Sequence, residues 1–187
     1  MGLTGETEYH QNWRLNERHY GTLQGRDKKA CTEIHGKAAV AEWRTSFNAP
    51  PPSIDFNHED HPRFDQLYSH LSFREHLELP VGESLEMVTE RAEKYWKSAI
   101  LPSLEQAGEG KCVLVSSHKH LLRGMVHLLA GLTPEQVSML SIHNGQPFVF
   151  EVDRNNDYEV VKNYYIEDES EEVVAAVKED DVELFRK

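Results

Sequence analysis

The chain has 187 residues, of which 39% are hydrophobic and 28% are charged, and its formal net charge is -12. This length suits one domain with a sizeable core, and its longest apolar stretches are far too short to cross a bilayer. The acidic balance excludes a general nucleic-acid binder, because affinity for a phosphate backbone comes mainly from clustered Lys and Arg side chains.

The N-terminus and the cysteines bear on location. Residues 1–10 are polar and acidic and show neither a secretory signal nor a transit peptide. Cys31 and Cys112 form no CxxC motif, and a secreted protein of this size would use more cysteines for disulfides. We therefore expect a cytoplasmic protein with two reduced thiols that binds neither membranes nor nucleic acids.

The first predicted feature in chain order is a basic segment over residues 11–45. It holds seven basic side chains against four acidic ones. A basic segment in an acidic protein can concentrate a small anion in one cleft. The alternative is a solvated basic helix face, which charge alone favours.

Part of this segment, from Arg14 to Lys28, carries the residue types that phosphate chemistry uses. Glu17 lies there among arginine, histidine and tyrosine side chains, and Arg44 follows further along. Guanidinium groups match phosphate and carboxylate oxygens, and a glutamate beside a bound phosphate can be tuned to move a proton. The alternative is a network of salt bridges within one helix, which composition does not exclude.

Residues 48–82 follow without sustained periodicity. They contain five of the eight prolines and four histidines, with scattered charges. Long loops in compact domains are usually functional or disordered. We therefore predict a long, ordered, lid-like loop over residues 48–82.

Two helices are predicted on either side of a short strand. The first helix begins near Glu83-Ser84 and ends around Pro102, with apolar residues at helical spacing. The run Cys112-Val113-Leu114-Val115 is apolar and rich in β-branched residues, which predicts a strand buried on both faces. The second helix follows directly, and its apolar pattern stops at Gly131, a typical C-terminal cap.

The rest of the chain predicts a short helix from Thr133, a hairpin and a tail. Residues 148–152 and 160–165 flank Asn155-Asn156-Asp157, a pattern typical of two antiparallel strands. Residues 167–187 hold nine acidic side chains against three basic ones, which predicts an acidic C-terminal tail. Together the elements predict one α/β domain over residues 1–187, with a mostly parallel sheet flanked by helices and an antiparallel edge hairpin near the C-terminus.

His118 lies between the predicted strand and the second helix. Ligands of open α/β sheets bind beyond the carboxyl ends of the strands, and the N-terminal amides of a helix favour an anion. The position suits phosphate chemistry. The alternative, a histidine hydrogen-bonded in an ordinary turn, is the better interpretation of one histidine on its own.

A longer motif connects these candidates. The run from Asn12 to Gly25, Asn-Trp-Arg-Leu-Asn-Glu-Arg-His-Tyr-Gly-Thr-Leu-Gln-Gly, resembles nearly residue for residue the signature of the bisphosphoglycerate-dependent phosphoglycerate mutases, which belong to the histidine phosphatase superfamily. The resemblance continues in order to about Ile166, through Glu42-Trp43-Arg44, Pro50-Pro51-Pro52, Glu83-Ser84-Leu85, Val113 to His118, Leu122-Arg123 and Asn144-Gly145-Gln146-Pro147. It covers nearly the whole chain.

The resemblance implies a function. It points to a glycolytic isomerase that interconverts 3-phosphoglycerate and 2-phosphoglycerate through a phosphohistidine, with 2,3-bisphosphoglycerate as primer, small phosphorylated three-carbon acids as partners, and a homodimer. By position, Glu17 would be the proton donor and acceptor for the substrate hydroxyl, and His118 would stabilise the transferring phosphoryl group. The substrate would be held by Arg18, His19, Tyr20, Lys28, Arg44, Thr45, Lys119 and His120.

The sequence departs from the family's pattern in two ways. The nucleophilic histidine of the family lies in an Arg-His-Gly motif at the end of the first strand, and the residues before Asn12 contain no such motif. We therefore expect an N-terminally incomplete domain that lacks the first strand and helix. Thr45 replaces the second arginine of a usual pair, and Lys119-His120 replaces a usual Gly-Asn. Two explanations stay open: a truncated version of a working mutase, or a pseudoenzyme that binds phosphorylated metabolites without turnover.

Other interpretations account for less of the sequence. A phosphatase of the same superfamily would share the histidine and arginines, but the length and order of the match favour the mutase. The runs His58-Glu59-Asp60-His61 and His118-Lys119-His120 offer metal ligands. Such short spacings arise easily among eleven histidines, so we expect no metal. A non-enzymatic module that binds phosphorylated metabolites is the alternative from a different functional class.

Overall fold

The computed structural model describes residues 8–108 and 110–166, and the predicted acidic tail over residues 167–187 lies outside them. Helices dominate the described residues: α1 (Lys28–His35), α2 (Lys37–Thr45), α3 (Phe73–Glu78), α4 (Leu85–Tyr95), α5 (Leu101–Ala107), α6 (Lys119–Ala130) and α7 (Pro134–Met139). Single 3-10 turns cover Trp13–Leu15, Gly21–Leu23, Pro62–Phe64 and Gln66–Tyr68. Within the described part, no helix is long and apolar enough to span a membrane.

The helix predicted from residue 83 is longer than expected. Ser84 caps α4 by accepting a hydrogen bond from the backbone N–H of Met87, which confirms the predicted start. The predicted end at Pro102 is wrong, because a π-helical segment, Trp96–Ile100, carries the chain into α5. Pro102 lies in the first turn of α5, where a missing N–H costs little.

Helices α4 and α6 form the centre of the fold. Gly124 of α6 lies against Thr89 of α4 so closely that an added Cβ would be 3.0 Å from the Thr89 hydroxyl. Helix α6 ends where predicted, because Gly131 adopts a left-handed conformation with a φ of 64°. Because α4 and α6 pack closely against each other, they present their apolar faces to a shared core.

The core consists of three buried clusters. Two lie on α4 and α6: one contains Val88, Ala92, Ile100, Leu121 and Met125, and the other contains Leu85, Val126, Leu132, Val137 and Leu140. The third contains Leu23, Cys31 and Val40 and joins α1 and α2 to the N-terminal segment. The basic segment is therefore divided: Arg18 is buried, whereas Arg26, Lys28, Lys29 and Lys37 are exposed to solvent.

The sheet differs from the prediction. Strands β1 (Phe148–Asp153) and β2 (Glu159–Tyr165) pair antiparallel, with Phe148 opposite Tyr165, which confirms the hairpin. These two strands form the whole sheet within the described residues. The predicted strand at residues 112–115 is unpaired, and Leu114 is 85% exposed. A strand buried on both faces needs neighbouring strands for its backbone groups, and the described residues supply none beside it, so the mostly parallel sheet is not confirmed.

The segment predicted as a lid-like loop contains short helices. The 3-10 turns at Pro62–Phe64 and Gln66–Tyr68 and helix α3 lie within it. Its two ends are joined, because the backbone N–H of Ile54 donates to the Val81 carbonyl at 3.0 Å. Its middle is more open, with Leu67 72% exposed.

Candidate functional site

The site is built on the stretch Asn16–Tyr20, which connects two single-turn 3-10 helices. At its end, Gly21 adopts a φ of 56° and lies directly against Pro52. The Pro52 carbonyl accepts a hydrogen bond from the Thr22 N–H at 2.9 Å. Only glycine fits here, because a side chain at this position would collide with that carbonyl and strain the backbone.

A buried ion pair anchors both ends of this stretch. The Arg91 guanidinium contacts the Glu83 carboxylate through Nε–Oε1 at 2.8 Å and Nη2–Oε2 at 3.0 Å. Glu83 also accepts a hydrogen bond from the His19 backbone N–H at 2.9 Å. Arg91 Nη1 donates to the backbone carbonyls of Trp13, Arg14 and Asn16. Glu17 and Arg18 therefore lie between two fixed points.

The N-terminal end of α6 lies beside the same stretch. The Ser117 hydroxyl donates to the Leu15 carbonyl. In the first turn of α6, His120 Nδ1 lies 3.3 Å from Glu17 Oε1 and 3.3 Å from the Tyr20 hydroxyl. The His120 and Tyr20 rings meet edge to face. Two parts of the chain that are distant in sequence thus form one polar group.

Two arginines flank Tyr20. The guanidinium carbons of Arg18 and Arg44 lie 5.0 Å and 5.4 Å from the centre of its ring, within cation–π range. Arg18 is only 2% exposed and donates from Nη2 to the Trp43 carbonyl. The Nε atoms of both arginines are buried without a hydrogen-bond partner among the described residues. Unsatisfied buried donors are unfavourable, so these groups would gain from an added acceptor.

Protonation states follow from burial and hydrogen bonding. Burial alone would raise the pKa of the Glu17 carboxyl, but hydrogen bonds from His120 and the Arg18 amide outweigh it and hold that pKa below its usual value. Glu17 is therefore ionised near neutral pH and can accept a proton. Burial raises the pKa of the Tyr20 hydroxyl, which stays neutral and can donate.

A cleft of about 560 Å³ opens on this stretch. Glu17, Arg18, His19 and Tyr20 form one wall. Another wall comes from the predicted lid and includes Glu59, Asp60, His61, Pro62, Phe64, Asp65 and Tyr68. Because that wall carries three carboxylates, the electrostatic attraction for a phosphate is concentrated at the Arg18 side of the cleft.

The structure brings five of the ten predicted site residues together: Glu17, Arg18, Tyr20, Arg44 and His120. His19 lines the cleft next to them, but its Nδ1 accepts a hydrogen bond from the Gly21 N–H at 3.0 Å. One nitrogen of the His19 ring is thus used by the local turn.

The other four predicted residues lie outside this group. Lys28, Thr45 and Lys119 are exposed, and the Thr45 hydroxyl donates to the Ala41 carbonyl within its own helix. His118 is also exposed, and it occupies the N-cap position of α6, two residues from His120.

The histidines that sequence spacing offered as metal ligands have local partners. His58 Nδ1 accepts from the Asp60 N–H, and His61 Nδ1 accepts from the Arg63 N–H, each at 3.1 Å. Within the described ranges, no group of three His, Cys, Asp or Glu side chains could hold a metal ion. The absence of a metal stays a prediction.

Three residues of the site were missed in the sequence. Glu83 and Arg91 form the anchoring pair, and Arg123 of α6 interacts electrostatically with Tyr20 and Glu17 while its Nε donates to the Leu140 carbonyl at 2.7 Å. Arg91 could have been noticed, because helical spacing puts it on the same face of the predicted helix as Val88. A charged residue on a buried face requires a partner.

Comparison with known proteins gives the family. Residues 55–164 match the histidine phosphatase superfamily (branch 1). The chain is also 37% identical over 158 residues to a 2,3-bisphosphoglycerate-dependent phosphoglycerate mutase from Erythrobacter litoralis (strain HTCC2594). That alignment covers 84% of this chain and 64% of the relative, so the chain spans less than two thirds of the relative's length. Together, the family match and this relative confirm the resemblance that the sequence predicted, and the chain belongs to the histidine phosphatase superfamily, branch 1.

Proposed function

We propose that this chain forms the substrate site of a phosphoglycerate mutase, which interconverts 3-phosphoglycerate and 2-phosphoglycerate through a phosphohistidine in glycolysis and gluconeogenesis. The observation that carries the proposal is the pair of arginines, Arg18 and Arg44, that flanks Tyr20 beside the ionised Glu17. The name of the Erythrobacter relative supports the same activity and the same primer.

The residues at the site fit 2,3-bisphosphoglycerate. Arg18 and Arg44 carry the positive charge, and their unpartnered Nε atoms mark a place where phosphate or carboxylate oxygens would be favourable nearby. When bound, this primer supplies the phosphoryl group that the enzyme carries. Lys28, Thr45 and Lys119 are proposed as further substrate contacts, made from the exposed ends of their helices.

Glu17 and His118 are the proposed catalytic residues. Glu17 is ionised and held by the Arg18 amide at 2.7 Å, so it can take a proton from a substrate hydroxyl and return it. His118 precedes α6, whose N-terminal amides carry partial positive charge. A histidine there would stabilise the negative charge of a phosphoryl group in transfer.

Four further features belong to this proposal. The segment 48–82 would act as a lid over the cleft. The mostly parallel sheet of the expected fold would include the extended residues 112–115. The chain would act in the cytoplasm and assemble as a homodimer.

The first test is phosphoryl transfer. The purified chain is incubated with 2,3-bisphosphoglycerate, and its intact mass is measured before and after acid treatment. We expect an unchanged mass, because the residues before Asn12 contain no Arg-His-Gly motif that would supply the nucleophile. An added phosphoryl group that is lost in acid would show that another histidine of this chain is a nucleophile and would favour turnover by the chain itself.

The second test is binding. Isothermal titration with 2,3-bisphosphoglycerate compares the wild type with Arg18→Ala and Arg44→Ala, after both variants are shown to be folded. We expect each to weaken binding by about tenfold to a hundredfold, because each removes a charged hydrogen-bond donor. Arg26→Ala is the matched control, since Arg26 is an exposed arginine of the same basic segment. Equal losses in all three variants would mean that only the overall charge matters.

The alternative function is a catalytically inactive protein that binds phosphorylated metabolites. The contacts of His120 favour this alternative. Its Nδ1 lies within hydrogen-bond distance of Glu17 and Tyr20, two groups that a substrate would need. It predicts the same loss of binding in Arg18→Ala and Arg44→Ala. An acid-labile phosphoryl group in the mass experiment would exclude this alternative.

A further inference from the structure

His120 places one atom between two functional groups. Its Nδ1 lies 3.3 Å from Glu17 Oε1 and 3.3 Å from the Tyr20 hydroxyl. The His120 side chain is 17% exposed, and that of Glu17 is 32% exposed, so both are largely removed from water. The family that the sequence resembles usually has an asparagine at this position. The imidazole of His120 is therefore a feature of this chain.

The chemistry of Nδ1 allows only one of these bonds to be fully formed at a time. An ionised carboxylate has no proton to donate, so a hydrogen bond with Glu17 requires a proton on Nδ1. The Tyr20 hydroxyl can donate to Nδ1 only when that nitrogen carries no proton. When the ring proton is on Nε2, Nδ1 can only accept, so it can bind the Tyr20 hydroxyl but not the ionised Glu17.

Among the side chains around Glu17, the His120 imidazole is the one with a hydrogen bond to its carboxylate in the described residues. The Arg18 backbone N–H donates to Oε1, the same oxygen that faces His120. The Arg18 and Arg123 guanidinium groups act on Glu17 electrostatically, and neither has a hydrogen bond to its carboxylate among the described contacts. The His120 backbone N–H also hydrogen-bonds the Glu17 carboxylate, so this carboxylate keeps backbone donors whatever the imidazole does.

We propose that His120 is a positioning residue for Glu17: its Nδ1–H tautomer adds a side-chain hydrogen bond to Oε1, and its Nε2–H tautomer binds Tyr20 instead and leaves Glu17 to its backbone donors. The inference rests on the proposed function for its catalytic meaning. The contact itself is independent of activity and can be tested without it.

The first experiment reads the tautomer of His120 by 15N NMR of the full chain. We expect the Nδ1–H form in the wild type and a shift to the Nε2–H form in Glu17→Leu, where Tyr20 remains the only partner. Glu93→Leu is the matched control, because it removes a carboxylate that pairs with Lys97 on the surface. A His120 signal that is the same in Glu17→Leu and in the wild type would overturn the proposal.

The second experiment follows the Glu17 carboxyl by 13C NMR as pH is changed. We expect its measured pKa to rise in His120→Leu, which removes the side-chain donor and keeps the backbone N–H of residue 120. It should stay near the wild-type value in His120→Asn, because the amide nitrogen of asparagine can take the position of Nδ1. His143→Asn is the control for the exchange itself, since His143 is exposed and contacts Tyr165 instead. A Glu17 titration that does not differ between wild type and His120→Leu would also overturn the proposal.

A third measurement connects the contact to turnover. If the chain interconverts phosphoglycerates, His120→Leu should lower kcat with little change in KM, and His120→Asn should restore most of kcat. A fall in kcat that His120→Asn does not restore would count against a positioning role. If the wild type shows no turnover, the two NMR experiments still decide the role of His120, and the binding comparison of Arg18→Ala and Arg44→Ala tests the proposed function separately.

Discussion

At the residue scale, Glu17 makes the stability of the fold depend on pH. Its pKa lies below the unfolded value, so it stabilises the folded state above the unfolded pKa, and this contribution is lost as pH falls through the folded pKa. In Glu17→Gln, the free energy of unfolding should therefore fall less between about pH 6 and about pH 3. The difference should stay below about 1 kcal/mol, because the side chain is partly exposed. Urea unfolding at several pH values measures it, and identical pH profiles would show that Glu17 is not held by its neighbours.

Some residues of the site could be predicted from the sequence, and others could not. The Asn12–Gly25 motif identified Glu17, Arg18 and Tyr20, because these residues lie close together in the chain. It could not identify Arg91, whose contacts reach carbonyls more than 70 residues earlier in the chain. Local spacing carries no information on such long-range hydrogen bonds.

At the scale of elements, the buried Glu83–Arg91 pair holds the site stretch against α4. Arg91→Ala should lower the free energy of unfolding by about 3–5 kcal/mol, because it leaves a buried carboxylate without its partner. Lys97→Ala is the matched control on the surface pair with Glu93, and it should cost less than about 1 kcal/mol. Urea unfolding measures both. Similar losses in the two variants would mean that the Glu83 carboxylate is solvated.

Gly21 tests the contact between the site stretch and the predicted lid. Both Gly21 and Gly25 have positive φ values, 56° and 69°, so an alanine at either position is strained by about 1–2 kcal/mol. Only Gly21 has no room for a Cβ, because the Pro52 carbonyl lies in its place, whereas the space around Gly25 is open. We expect Gly21→Ala to lower the unfolding midpoint in urea clearly more than Gly25→Ala. Equal midpoints would show that the Pro52 contact is absent in solution.

The ends of the helices show which boundaries can be predicted from adjacent residues and which cannot. Ser84 and Gly131 are caps, and their effect depends only on adjacent backbone groups, so the sequence predicted both boundaries correctly. Pro102 was expected to end a helix. The π-helical turn before it changes the register of the hydrogen bonds, and the proline then falls in the first turn of α5.

At the scale of the whole molecule, the sheet depends on contacts that one segment cannot reveal. Residues 112–115 have the composition of a buried strand, but burial also requires strands on either side. In the described residues, Val113 and Val115 pack against the core cluster of Val88, while Leu114 points away and is 85% exposed. The side chains of this segment thus alternate, so that one of its faces packs on the core and the other is uncovered.

Leu114 lies on this uncovered face of the extended segment. Leu114→Lys should change the free energy of unfolding by less than about 0.5 kcal/mol, because the side chain already lies in water. Val115→Lys is the contrasting variant, and it should be strongly destabilising because it places a charge against the core. An apolar extended segment with unpaired backbone groups also favours association between chains, so Leu114→Lys should reduce self-association in sedimentation experiments. A large loss of stability in Leu114→Lys would instead show that Leu114 is covered in solution, and an unchanged sedimentation profile would place any association elsewhere on the surface.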